Sequence, residues 1–175
     1  FEEAHPARRL LDLLSQTGWE QPADQDDPVY HAMRRSVERV RDAEQPEFEA
    51  AVGTDHLISE PEQLRTYNCD GLTGWRAMPE LVVLAGSTAD VQKIVQICAR
   101  EQIPFVARGA GTGLSGGALP VADGIVISLA RMKRILEIDL ASQRIDVEPG
   151  VTNLDVSKAV AADGFFYAPD PSSQQ

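Results

Sequence analysis

The stretch Ala107-Arg-Gly-Ala-Gly-Thr-Gly-Leu-Ser-Gly-Gly-Ala118 constrains this chain more than any other, because five of the nine residues from Gly109 to Gly117 are glycine. Placed directly after a strand, such a loop can turn consecutive backbone N–H groups toward a polyanion and let it approach without interference from Cβ atoms. Thr112 and Ser115 add hydroxyl donors. The implied ligand is a diphosphate, which a chain of formal net charge −11 would hold by backbone dipoles more than by Lys or Arg. The bland alternative is a glycine-rich surface hairpin with no ligand.

Gly111-Thr-Gly-Leu-Ser-Gly116 has the G-x-G-x-x-G form of nucleotide-binding loops, and Glu137 lies 21 residues beyond Gly116. A dinucleotide fingerprint, however, opens a helix of several turns. Here Gly117, Pro120 and Gly124 follow within eight residues and lead into an apolar run. No Gly-Lys-Ser or Gly-Lys-Thr follows, which removes a Walker-type loop, and a kinase loop would need a Val after its last glycine and a Lys one strand later. The loop therefore joins strand to strand. A different nucleotide or phosphorylated ligand stays open as an alternative occupant.

The flanking sequence predicts an α+β fold with a mixed sheet. Leu81-Val-Val-Leu84, bounded by Pro79 and Gly86, reads as a buried strand. Ser87 or Thr88 caps a helix that presents Val91, Ile94, Val95 and Cys98 on one side and ends near Glu101. Pro104-Phe-Val-Ala107 reads as a second buried strand, giving a strand-helix-strand unit, most simply with parallel strands and a right-handed crossover. Strands are expected again at Gly124–Leu129, Ile135–Asp139 and Arg144–Glu148, and a helix over Leu154–Asp163 that ends at Gly164.

Ahead of this lie residues 1–45, expected to form an N-terminal helical hairpin or extension, with helices near Ala4–Thr17 and Val29–Asp42, and residues 46–78, expected to be lead-in helices and a turn. A short helix over Glu47–Val52 stops at Gly53, and Ser59-Glu60-Pro61-Glu62 signals another start. Acidity concentrates in this front end, where residues 1–70 hold 16 acidic and 7 basic side chains. A surplus of carboxylates argues against nucleic acid as a partner. No apolar run approaches the roughly 20 residues that span a bilayer. Cys69 and Cys98 form no Cys-x-x-Cys pair, which leaves no iron–sulfur or structural zinc pattern and fits two free thiols in a reducing, cytoplasmic setting. His5, His31 and His56 are scattered, and none receives a catalytic or metal role. A start at Phe1 without Met, and an end in the turn-forming Pro-Asp-Pro-Ser-Ser-Gln-Gln, suggest an N-terminal piece of a longer protein.

Four motifs in order carry a family resemblance: Asn68-Cys-Asp-Gly-Leu72, Arg108-Gly-Ala-Gly-Thr-Gly-Leu-Ser-Gly-Gly-Ala-Leu-Pro120, Val147-Glu-Pro-Gly-Val151 and Tyr167-Ala-Pro-Asp-Pro-Ser-Ser173. With them, residues 79–175 resemble the first, incomplete part of the FAD-binding domain of the PCMH (vanillyl-alcohol oxidase) type, closest to the group of the glycolate oxidase flavin subunit and D-lactate dehydrogenase. The resemblance implies that FAD is the cofactor. Its pyrophosphate would be wrapped by Ala107, Arg108, Gly109, Ala110, Gly111, Thr112, Gly113, Leu114 and Ser115. Pro169, Asp170, Ser172 and Ser173 would begin a second loop on the flavin side, and Glu148-Pro-Gly150 would be a structural turn.

The same resemblance implies oxidation of a small 2-hydroxyacid by hydride transfer to flavin N5, in a longer protein that carries the catalytic residues, with a separate iron–sulfur subunit as electron acceptor. On this view the residues of this chain serve cofactor binding only, and the chain alone is inactive. The competing reading is a non-catalytic interaction module that uses the acidic front helices.

Overall fold

A computed structural model describes residues 45–121 and 124–169. The two expected front helices, and Asp170, Ser172 and Ser173, lie outside the described residues. In chain order the elements are α1 (Gln45–Val52), β1 (Leu57–Ile58), α2 (Pro61–Leu64), β2 (Leu81–Leu84), α3 (Thr88–Glu101), β3 (Phe105–Arg108), β4 (Ile125–Ser128), β5 (Ile135–Asp139), β6 (Arg144–Val147) and α4 (Asn153–Val160).

The main sheet has the strand order β1, β2, β4, β3. β4 pairs in parallel with both β2 and β3, so that Leu81 faces Ile125 on one side of the sheet's centre and Phe105 faces Ile125 on the other. β1 runs antiparallel to β2, which makes the sheet mixed as expected. β2 and β4 are continuous apolar runs because both of their faces are covered. On one face Leu81, Val83, Ile125 and Ile127 pack against Phe48 of α1 and Ile94, Ile97 and Cys98 of α3. On the other, Val82 and Val126 pack with Leu64 of α2, and Ile58, Tyr67 and Met78 border them. Each such aliphatic side chain contributes roughly 1.5–3 kcal/mol by leaving water.

Local chemistry explains the ends of the elements. α1 stops where Gly53 turns to φ +89, and Gly53 N donates to Glu49 O at 2.7 Å. α2 starts with Pro61 in its first turn, where a missing N–H costs nothing. Ser87 Oγ caps α3 by accepting from Asp90 N at 3.1 Å, while Asp90 Oδ2 accepts from Gly86 N at 2.9 Å. Thr152 does the same for α4, its Oγ1 accepting from Asp155 N at 3.2 Å.

Several expectations need correction. β3 is not a buried strand: among the described residues only β4 flanks it, so it lies at the sheet's edge with Phe105 41% exposed. β2 and β3 are parallel but not neighbours, since β4 inserts between them. β5 and β6 do not join the main sheet and instead form a separate antiparallel hairpin. The expected helix over 154–163 is two pieces, α4 and a 3-10 turn over Ala161–Asp163, before Gly164 ends it with φ +80.

Phe48 is fully buried and ties α1 to both α3 and the sheet. Phe48→Ala is therefore expected to lower unfolding free energy by about 3–5 kcal/mol in a urea titration. A loss under about 1 kcal/mol would show that α1 is not part of the core.

Candidate functional site

Adjacent parallel strands need a connection of about a dozen residues or more, ordinarily containing a helix. Between β3 and β4 that connection is the glycine loop itself, residues 109–124. The strand-to-strand placement expected from the sequence is what the structure has. Residues 109, 110, 112–115 and 117 are exposed. Among the described residues, no backbone N–H from Gly109 to Gly117 donates to another protein group. A Cβ added to Gly113 or Gly117 would meet no heavy atom within 4 Å. Gly111 and Gly116 adopt φ +72 and +73, the left-handed region that only glycine enters without strain. The loop thus presents a run of uncommitted donors on a backbone shaped by glycine.

Behind the loop, residues 67–72 act as its support. Asp70 is 4% exposed, and its Oδ1 accepts from Leu72 N at 2.9 Å, an Asx turn closed on its own segment. Its Oδ2 accepts from Ala118 N at 3.3 Å, across to the far end of the loop. Arg108 Nη1 donates to Cys69 O at 2.7 Å and to Ala118 O at 3.4 Å, and the guanidinium lies 5.6 Å over the Tyr67 ring. Ala118 is consequently held at both its N–H and its carbonyl by charged side chains. Contact between the two segments is direct: a Cβ on Gly71 would sit 2.6 Å from Thr112 O and 2.8 Å from Gly113 O.

The Glu148-Pro-Gly turn flanks the loop's first residue, since a Cβ on Gly109 would lie 3.8 Å from Pro149 O. Glu148 is buried and accepts from Arg134 N at 2.8 Å and from Arg134 Nε at 2.9 Å. The Arg134 side chain, and then its backbone N–H, hold the Glu148 carboxyl below the usual carboxylate range. Gly150 approaches the 129–132 turn so closely that a Cβ would lie 2.7 Å from Met132 O. This turn is structural, tying the hairpin to the main sheet.

Ala107 is exposed on the edge strand, residues 109–115 form the loop, and Arg108 is half-buried beneath it with its guanidinium turned to residues 67, 69 and 118. Pro169 lines a different feature, a groove of about 300 Å³ between the β5–β6 hairpin, α4 and residues 165–169, whose walls include Ile138, Ile145, Val160 and Phe166. None of residues 107–115 lines that groove. Cys69 and Cys98 are both free thiols, and burial pushes Cys98 up to about 11. Among the described residues, no cluster of His, Cys, Asp or Glu could hold a metal ion. No helix among them is long and apolar enough to cross a membrane. Sequence reasoning missed the supporting role of Asp70 and Gly71. Asp-Gly signals a turn, but nothing local signals a hydrogen bond to a residue 48 positions away.

Residues 79–175 match the family described as FAD binding domain, and the chain belongs to that family. It is 48% identical over 118 residues to the glycolate oxidase subunit GlcD of Escherichia coli (strain K12), an alignment covering 67% of this chain and 24% of that protein. It is 36% identical over 99 residues to D-lactate dehydrogenase of Anaerostipes hadrus, covering 57% of this chain and 21% of that protein. Among solved structures, p-cresol methylhydroxylase superposes with a TM-score of 0.60 at 28% identity, over 77% of this chain and 25% of the other. The chain spans about a quarter of the length of the curated relatives it matches. The expected α+β fold, PCMH-type family and FAD cofactor stand together on these likenesses. The loop fits the diphosphate of that cofactor, with exposed backbone donors, open space above Gly113 and Gly117, and no charged side chain from Gly109 to Val121.

The contact at Gly71 gives a test. Gly71→Ala is expected to displace the loop backbone at Thr112–Gly113, lowering stability by about 1–3 kcal/mol and weakening FAD retention on desalting. Unchanged stability together with unchanged retention would contradict the close approach.

Proposed function

We propose that this chain supplies the diphosphate-holding part of the FAD site in an oxidoreductase that oxidises a small 2-hydroxyacid of the glycolate or D-lactate class. The observation that carries this reading is the loop of uncommitted N–H groups over residues 109–117 in a member of the FAD-binding family. The named relatives, a glycolate oxidase subunit and a D-lactate dehydrogenase, support the substrate class.

In this reading the backbone from Ala107 to Ser115 binds the pyrophosphate, with Thr112 and Ser115 adding hydroxyl donors and Arg108 holding the loop from beneath. Pro169, Asp170, Ser172 and Ser173 begin the second wall of the site. The bound cofactor supplies a hydride acceptor, its N5 atom, for the substrate α-carbon. No residue of this chain is assigned to proton transfer or substrate binding, and we assign turnover to the longer protein. A protein partner with iron–sulfur centres would take the electrons onward. The setting we infer is cytoplasmic.

Gly113 has open space around it and no positive φ, so a side chain there obstructs a ligand rather than the fold. Gly113→Val is expected to keep the melting temperature and to weaken FAD binding at least about tenfold, or 1.4 kcal/mol, as read from flavin fluorescence on titration. Wild-type affinity in this variant would place the cofactor elsewhere.

A further inference from the structure

We propose that Asp70 is a positioning residue for the glycine loop. Its carboxylate, working with Arg108, fixes the backbone of residues 109–118 before any ligand arrives. The inference rests on the reading of that loop as the FAD diphosphate cradle and adds a residue to which no cofactor role has been given.

The geometry is a three-way junction. Asp70 joins Leu72 N at 2.9 Å to Ala118 N at 3.3 Å, so one buried carboxylate links its own turn to the end of the loop. Arg108, at the loop's start, reaches Ala118 O at 3.4 Å and Cys69 O at 2.7 Å. The loop is thereby closed at its base, from 108 to 118, by hydrogen bonds to charged groups, which are stronger than neutral ones. Between those anchors lie five glycines, the residues with the most conformational freedom to lose. Ordering the loop in advance removes that entropy loss from the binding step.

Charge alone predicts the opposite of positioning, which makes the inference sharp. A carboxylate near a site for a doubly charged anion weakens binding by simple repulsion, so neutralising it should tighten binding. If Asp70 acts by holding the loop, neutralising it should weaken binding. Asn at this position keeps one acceptor oxygen but turns an amide N–H toward a backbone N–H, so one of the two hydrogen bonds is lost.

The test compares the full chain with Asp70→Asn and Asp70→Ala, the milder Asn variant guarding against a failure of the Ala variant to fold. Without FAD, backbone order parameters for residues 109–117 are expected to fall from near ~0.85 toward ~0.6 or below, and the Ala118 amide to exchange faster. Amides of β2 and β4 should be unaffected. With FAD, the dissociation constant is expected to rise about tenfold for Asp70→Ala and by a smaller factor for Asp70→Asn. Equal or tighter FAD binding by Asp70→Asn overturns the inference, and so does a loop whose order is unchanged in both variants. Wild-type FAD binding by Gly113→Val would remove the cradle reading itself. That outcome is separable, because the ligand-free order parameters report the junction without reference to FAD.

Discussion

Two adjacent parallel strands, β3 and β4, are connected with no intervening helix among the described residues, and the form of the site follows from that constraint. A crossover helix would satisfy its own backbone groups internally. A loop cannot do so, and its N–H groups from Gly109 to Gly117 remain available to something outside the chain. Such a loop also lacks internal stiffness, so it must be fastened to the body of the domain. The fastening comes from residues 67–72, through Asp70, Arg108 and the close fit of Gly71 against Thr112 and Gly113.

The electrostatics of the cradle run against the net charge of the chain. With 27 acidic against 16 basic side chains, the molecule repels anions at long range. The loop offers backbone dipoles at short range rather than lysines, and Arg108 at its base donates to Cys69 O and Ala118 O. Glycine is required in two different senses here. Gly111 and Gly116 need the left-handed conformation, whereas Gly113 and Gly117 leave open space where a ligand can approach the backbone.

Much of this was legible from residue patterns, for physical reasons. Leu81–Leu84 and Ile125–Ser128 announced themselves as strands because burial on both faces demands an unbroken apolar run. The glycine loop announced a ligand because nothing in a strand or helix needs such a composition. Position within the sheet was not legible: Phe105-Val-Ala reads the same at a centre as at an edge, and the insertion of β4 beside β3 depends on pairing across the chain. The separation of the β5–β6 hairpin from the main sheet was hidden for the same reason. Asp70 lies within the Asn68–Leu72 motif, yet its partner Ala118 is 48 residues away, and no local pattern encodes that bond.

We propose that an uncharged glycine loop, braced from behind, binds the diphosphate of FAD through its backbone. Residue-resolved amide exchange of the full chain, with and without FAD, tests it most directly, because free N–H groups exchange quickly until a ligand engages them. Slowed exchange at residues 109–115 on adding FAD is expected, with the groove-lining residues 138–140 and 143–145 unchanged. Unaltered exchange in the loop alongside slowing in the groove would contradict it.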